Sequence, residues 1–222
     1  MLAADRKVRV QRPVDACNII KKGWTELRMK QKKTDRVPQH DVARFIVDRW
    51  SPRALSGESI THDELMSLFE AARWAQSSYN NQPWHFIYAY RDTPQWQMLF
   101  DLMVPFNQSW TQRAAVLMVV ISRTLFDNGK PSRTHSFDTG AACQNLALQG
   151  SYMGLVVHGM EGFDYDRART ALAIPHEYAV QAMFAVGRLG DNTMLSAELQ
   201  KRETPSDRKP ITTFIHEGKF SL

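Results

Sequence analysis

Apolar residues are scattered over the first 40 residues and become periodic from Asp41 onward. Val42, Phe45, Ile46 and Trp50 fall near helical spacing, and Ser51-Pro52 stops the run, which predicts a helix ending there. Thr61-His62-Asp63-Glu64 is a capping-box pattern. It opens a second helix whose buried stripe is Leu65, Leu68, Phe69 and Ala72. His85 to Tyr90 is short and rich in aromatic and β-branched residues, as a strand is. Pro94 to Met103 suits a short helix. Ala115 to Ile121 is a continuous apolar run, expected of a strand covered on both faces. Residues 137–153 predict a buried helix ended by Gly154, followed by a strand at Leu155 to His158. Asp166 to Leu172 predicts a helix halted before Pro175, and Val180 to Val186 a strand ending at Gly187. Helices and strands thus alternate in α+β or α/β order, with no internal repeat.

Length and charge refine this picture. With 222 residues, 43% of them hydrophobic, the chain is long enough for one domain with a core. The net charge of +5 is unevenly placed: residues 1–48 hold 12 Lys and Arg against 6 Asp and Glu, and the remainder 16 against 17. Residues 1–40 therefore read as a basic extension and 41–222 as a nearly neutral body, so net charge is no argument for nucleic-acid binding by the body. No stretch approaches the ~18 uncharged apolar residues of a membrane span, and MLAADRKVRV lacks the apolar core of a secretory signal. A soluble, cytoplasmic protein without membrane partners is expected. Cys17 and Cys143 are too few for a disulfide framework. HExxH, GxSxG, GxxxxGK[ST] and GxGxxG are absent, which disfavours the zincin, serine-hydrolase, P-loop and typical dinucleotide-binding readings.

Four segments can carry chemistry. In Arg49-Trp50-Ser51-Pro52-Arg53, two guanidinium groups and a hydroxyl occupy alternate positions, so an extended segment points all three the same way. Such a set can hold a phosphate; it also suits a solvated helix end. The polar loop Ala75 to Trp84 is dense in amides and hydroxyls and runs straight into a predicted strand, where ligands are often met, although turn formation alone explains its Ser, Asn and Pro. Gly159 to Asp164 reads as a glycine-flanked turn that lets backbone approach a flat ligand, or as an ordinary connection capped by Asp164. Thr204 to Pro210 frames two adjacent cations, Arg208 and Lys209, with prolines. His135 and His158 read as hydrogen-bonded structural residues beside strands, and Cys143 as a small buried filler.

Taken in order, Arg49-x-Ser51-x-Arg53, Ser77-Ser78-x-Asn80-x-Gln82-Pro83-Trp84, Asn107, Glu161-Gly162-Phe163-Asp164 and Arg208-x-Pro210 resemble the nitroreductase family of flavin enzymes over roughly residues 41–220. The Ser-Ser-x-Asn-x-Gln-Pro-Trp segment is the most specific of these. The resemblance implies an α+β fold with a central mixed sheet flanked by helices, assembled as an intertwined homodimer with two FMN sites at the interface. It implies reduction of nitroaromatics, quinones or similar acceptors by NADH or NADPH in a ping-pong sequence. Arg49, Ser51, Arg53 and Arg208 would hold the FMN phosphate and ribityl chain, with Trp50 contributing backbone. Ser77, Ser78 and Asn80 would come from the partner subunit, Asn107 would reach the polar edge of the ring, and the backbone of Met160, Glu161 and Gly162 would face N5. The flavin carries the hydride, so neither a catalytic side chain nor a metal is expected. Where many members have a cation about three residues after Asn107, this chain has Trp110, and Ser206 replaces a frequent Lys; Arg113 or Lys209 are the candidate substitutes near N1 and O2. The alternatives are a specialised flavin enzyme of the same fold, dehalogenase-like or flavin-fragmenting, and a flavin- or nucleic-acid-binding protein without reductase activity. No long insertion for a substrate lid is evident.

Overall fold

The computed structural model describes residues 34–220. Among the described residues four strands, β1 (Trp84–Tyr90), β2 (Val116–Arg123), β3 (Leu155–Met160) and β4 (Tyr178–Arg188), form one sheet in the order β1-β2-β4-β3. The α+β class with flanking helices is as expected, but the sheet differs from the mixed one implied by the resemblance, because all three pairings are antiparallel. The reason lies in the topology: β2 and β3 do run parallel to each other, yet β4 inserts between them and takes the hydrogen bonds a parallel pair would need.

β2 explains how the sheet is covered. Val116 and Met118 face one side, Leu117, Val119 and Ile121 the other, and the whole run is buried. On the first side lie α2 (His62–Arg73), through Leu65, Leu68 and Ala72, and α5 (His135–Tyr152), through Ala142 and Leu146. Gly150 lets α5 approach β3, since a Cβ there would collide with the Val157 side chain. On the second side lie α3 (Pro94–Phe100), α4 (Pro105–Thr111) and α6 (Tyr165–Ala171), which contribute Trp96, Leu99, Trp110 and Ala168. A short α7 (Ala197–Gln200) buries Leu199 in the same cluster.

The capping box forms as the pattern predicts. Thr61 Oγ1 accepts from Glu64 N at 3.1 Å and Glu64 Oε2 accepts from Thr61 N at 2.8 Å. Several elements depart from expectation. The helix expected over Pro94 to Met103 ends at Phe100, and α4, not foreseen, follows with Pro105 in its first turn. Gly159 and Met160 belong to β3 rather than to the turn, because the ladder continues through Gly159↔Phe184 and Met160↔Met183. The first helix, α1 (Arg44–Asp48), has only five residues; Arg49 is already extended, and Phe45 and Ile46 remain nearly half exposed.

The first 33 residues of the predicted basic extension lie outside the described residues. Its last stretch packs on the body: Thr34 N and Oγ1 donate to Asp48 Oδ1 at 2.9 and 3.2 Å, and Arg36 Nη1 donates to the Val47 and Arg49 carbonyls at 3.0 and 2.9 Å. No helix among the described residues is long and apolar enough to cross a membrane.

Candidate functional site

After α1 the backbone turns extended at Arg49, and the chain then joins the end of the sheet near Leu55. Ser56 N donates to the Arg188 carbonyl at 3.0 Å and Gly190 N to the Ala54 carbonyl at 2.8 Å. A Cβ on Gly190 would lie 2.7 Å from Ser56 N, so this contact requires glycine. The C-terminal segment closes over the loop from the other side. Glu203 Oε1 accepts from Arg53 N at 2.6 Å and from Ala54 N at 2.8 Å.

Between these segments is a polar cavity of roughly 350 Å³ lined by Arg36, Arg49, Ser51, Arg53, His158 and Arg208, with Trp50 and Arg202 in its wall. Arg49 Nη1 donates to Ser51 Oγ at 3.2 Å, so the alternation seen in the sequence does gather these groups. The cations crowd one another. Burial first, then Arg208 and Arg36, depress the Arg49 pKa, and burial with Arg208 depresses that of Arg36. The Nε atoms of Arg36 and Arg53 are buried without partners. Buried donors of this kind cost free energy unless an acceptor reaches them. The arrangement suits a small anion with several acceptor oxygens, as a phosphate has.

Arg49, Trp50, Ser51, Arg53 and Arg208 therefore converge. Asn107, Met160, Glu161 and Gly162 form a second group at the end of β3. Asn107, on α4, is buried, and its Nδ2 donates to the Gly162 carbonyl at 2.9 Å; Val104 N reaches the same oxygen at 3.1 Å. A Cβ on Gly162 would lie 2.8 Å from Asn107 Nδ2 and 3.0 Å from Val104 Cγ2. The two groups are linked by β3, whose His158 lines the cation cavity, and by α4, whose Trp110 ring lies 4.5 Å from that of His158. His158 Nδ1 is 2.9 Å from the Pro52 carbonyl. Burial, aided by Arg53 and Arg49 and opposed by the bond to Pro52, pulls the imidazole down to about 4.

Ser77, Ser78 and Asn80 form a third group that does not line the cation cavity. Ser77 Oγ accepts from Gln82 N at 3.0 Å, and Ser78 N donates to Asp138 Oδ2, at the start of α5, at 3.1 Å. Tyr79, Asn80 and Gln82 all have left-handed backbone, at φ 52°, 55° and 48°. Non-glycine residues in that region cost free energy, and such strain clusters at ligand and switch sites. Tyr79 is 94% exposed.

Of the candidate charge substitutes, Lys209 lines a neighbouring cavity with Arg36 and Arg208, whereas Arg113 packs beside Gly57 and Arg91, away from the cations. Trp110 is a core residue. Cys143 is free, and burial pushes its thiol up to about 12, so it offers no thiolate at neutral pH. Sequence reasoning did not single out Arg36, which is one cation among many in a basic stretch, nor Glu203, which no local pattern marks.

The model of the nitroreductase family matches residues 46–95 and 89–188. An uncharacterised 15.4 kDa protein of Mycolicibacterium smegmatis is 28% identical over 118 residues, which is 51% of this chain and 77% of that one. A solved oxidoreductase containing FMN is 40% identical with a TM-score of 0.82, covering 86% of this chain and 98% of its own. Two further structures share the fold at 22% identity. One is a nitroreductase in complex with FMN from Desulfovibrio desulfuricans, with a TM-score of 0.65 over 83% of this chain and 100% of that one. The other is an NADH dehydrogenase/NAD(P)H nitroreductase from Parabacteroides distasonis, with a TM-score of 0.63 over 79% and 96%. With its matched segments spanning more than half its length, the chain belongs to the nitroreductase family.

Proposed function

We propose that the chain is an FMN-dependent oxidoreductase that passes hydride from NADH or NADPH to a nitroaromatic, quinone or similar acceptor, in a ping-pong sequence and as a homodimer. The observation that carries this reading is the cavity in which Arg36, Arg49, Arg53 and Arg208 converge with buried donors left unpaired. The residues fit a phosphate-bearing cofactor on that ground: an anion there gives the free Nε groups an acceptor and offsets the burial, and after it the repulsion, that depress Arg49 and Arg36. FMN, when bound, supplies the hydride chemistry, so position, charge and access are what the protein contributes.

In this reading Arg49, Ser51, Arg53 and Arg208 bind the phosphate and ribityl chain, and Trp50 offers its backbone. Asn107 acts through the turn: by holding the Gly162 carbonyl it fixes the Gly162–Phe163 peptide and so anchors the turn whose Met160, Glu161 and Gly162 backbone faces the ring. Ser77, Ser78 and Asn80 serve the site of the partner subunit, which accounts for a strained loop that does not line the cation cavity of its own chain. Exposed apolar side chains on α1, on α5 and after α2, namely Phe45, Ile46, Phe137 and Trp74, support the dimer. The domain reading that goes with this is a nitroreductase-like body from about residue 41, preceded by a basic extension whose end, Thr34 to Arg36, is tied to α1.

Purified protein supplied with FMN tests the reading through its absorbance spectrum, followed by anaerobic addition of NADPH or NADH. Retained FMN that bleaches on addition is expected. A protein that binds no FMN refutes the reading; FMN that stays oxidised with both donors refutes the NAD(P)H half of it.

A further inference from the structure

The roles above leave His158 unassigned, although it forms part of the cavity wall beside Arg49, Ser51, Arg53 and Arg208. The ring is 8% exposed, packed against Trp110 and held by the Pro52 carbonyl at Nδ1. A carbonyl oxygen only accepts, so Nδ1 carries the hydrogen and the neutral ring keeps a lone pair on Nε2. Among the described residues the hydrogen bond of the ring is the one at Nδ1, which leaves Nε2 free. The charged groups that face the ring are all cationic: Arg49 and Arg53 from the loop after α1, with Arg36, Arg202 and Arg208 further round the cavity. β4 opposes His158 with Ala185, and α4 with the Trp110 indole. No carboxylate lines the cavity among the described residues.

A phosphate dianion entering this cavity meets guanidinium donors and a hydroxyl, and one group that can only accept, the Nε2 lone pair. Its own oxygens are acceptors too, so the two repel unless a proton lies between them. We propose that the cavity takes a phosphomonoester together with one proton from solvent, shared between a phosphate oxygen and His158 Nε2, which makes His158 a phosphate-binding residue oriented by Pro52. The identification of the phosphomonoester as FMN rests on the flavin reading above. Trp110 favours the same state, because a ring that gains positive charge over an indole face is stabilised by it. Without ligand, burial and the neighbouring arginines keep the ring neutral at physiological pH. The anion reverses that balance, so binding and protonation are linked: affinity rises as pH falls through the liganded His158 value and weakens by up to about tenfold per pH unit above it.

The test is calorimetric titration of the full chain with FMN and with riboflavin in two buffers of different ionisation enthalpy. It is run between about pH 7 and 8.5, where a free phosphomonoester with a second pKa of about 6 is already a dianion. Wild-type protein is expected to take up a proton with FMN but not with riboflavin, and to bind FMN more weakly as pH rises. The H158Q variant retains a donor for the Pro52 carbonyl and is expected to bind FMN without proton uptake and with a flat pH profile. Should H158Q fail to fold, the wild-type comparison of FMN with riboflavin still decides. Wild-type FMN binding without proton uptake, equal uptake with riboflavin, or unchanged uptake in folded H158Q overturns the inference and leaves the flavin reading standing. A wild-type chain that binds no FMN at any pH overturns both.

Discussion

Replacing Glu203 with alanine tests the geometry of the cavity without touching any of its cations. Through one oxygen Glu203 accepts from Arg53 N and Ala54 N, joining the segment that carries Arg208 to the loop that carries Arg49 and Arg53. Hydrogen bonds to a charged group contribute about 1.5–3 kcal/mol each, and a stranded buried donor costs about 1–3 kcal/mol. The bonds share an acceptor, and the loop keeps its ties at Ser56 and Gly190, which brings the expected loss to about 2–4 kcal/mol. For a chain of this size that lowers the melting temperature by roughly 4–16 °C. The E203Q variant separates clamp from charge. It still offers an oxygen to both N–H groups, with bonds about half as strong, and it removes a negative charge from behind the loop that carries the cations, outside the cavity lining. E203Q is therefore expected to melt only a few degrees below wild type and to bind FMN at least as tightly, whereas E203A melts lower and binds FMN more weakly. Circular-dichroism melting and FMN fluorescence titration read both quantities. An E203A protein that melts within about 1 °C of wild type, or that matches E203Q in both measurements, would show that this carboxylate holds nothing together.

Three further perturbations probe other parts of the fold and site. R53M removes a guanidinium whose Nε is already unpartnered; the loss of about 1.5–3 kcal/mol should weaken FMN binding by roughly 10- to 150-fold while leaving riboflavin binding unchanged, as measured by fluorescence titration. Glu64 is partly buried, which alone would raise its pKa, but its bonds to Thr61 N and to Arg188 Nη2 (2.8 and 2.9 Å) outweigh burial and hold it below the usual glutamate value. Its stabilising contribution is therefore full above the unfolded carboxylate pKa and lost as pH falls through the folded value, so the gap in urea midpoint between wild type and E64Q should close as pH is lowered from 7 toward 3. G150A drives a methyl into Val157 between α5 and β3 and should cost about 1–3 kcal/mol in urea unfolding; no loss would mean that the helix and strand can part there without penalty.

What the sequence made legible was local. The box at Thr61 and Glu64 and the stripe Leu65, Leu68 and Ala72, with the expected fourth member Phe69 only partly buried, act within two to three helical turns, and the run Val116 to Ile121 is buried on both faces because its residues are apolar on both. The sheet order was not legible, since nothing in β2, β3 or β4 taken singly says that β4 enters between the other two. Likewise β3 outruns its apolar stretch, because Gly159 and Met160 are fixed by partners on β4 rather than by their own propensity. The same division runs through the candidate site. Alternation brought Arg49, Ser51 and Arg53 into view, but Arg36 hides among lysines and arginines, and Glu203 meets Arg53 across 150 residues of chain.

The way the cavity's arginines are held bears on what they are for. Arg44, Arg73, Arg123 and Arg188 each lie within 2.8 Å of a carboxylate oxygen, so their charge is answered inside the chain. Among the described residues, none of Arg36, Arg49, Arg53 and Arg208 has such an ion pair. Their segments are fixed instead by neutral or backbone contacts: Arg36 to the Val47 and Arg49 carbonyls, Pro52 to His158, and the Arg53 and Ala54 amides to Glu203. Placement is thus supplied by bonds that leave much of the guanidinium surface uncommitted, and the nearby carboxylates of Asp207 and Asp48 offset only part of what burial and Arg208 do to Arg36. A structural arginine cluster would gain by taking up carboxylates from its own chain. One that must take up an anion has to leave those positions open, and in this cavity they are open among the described residues.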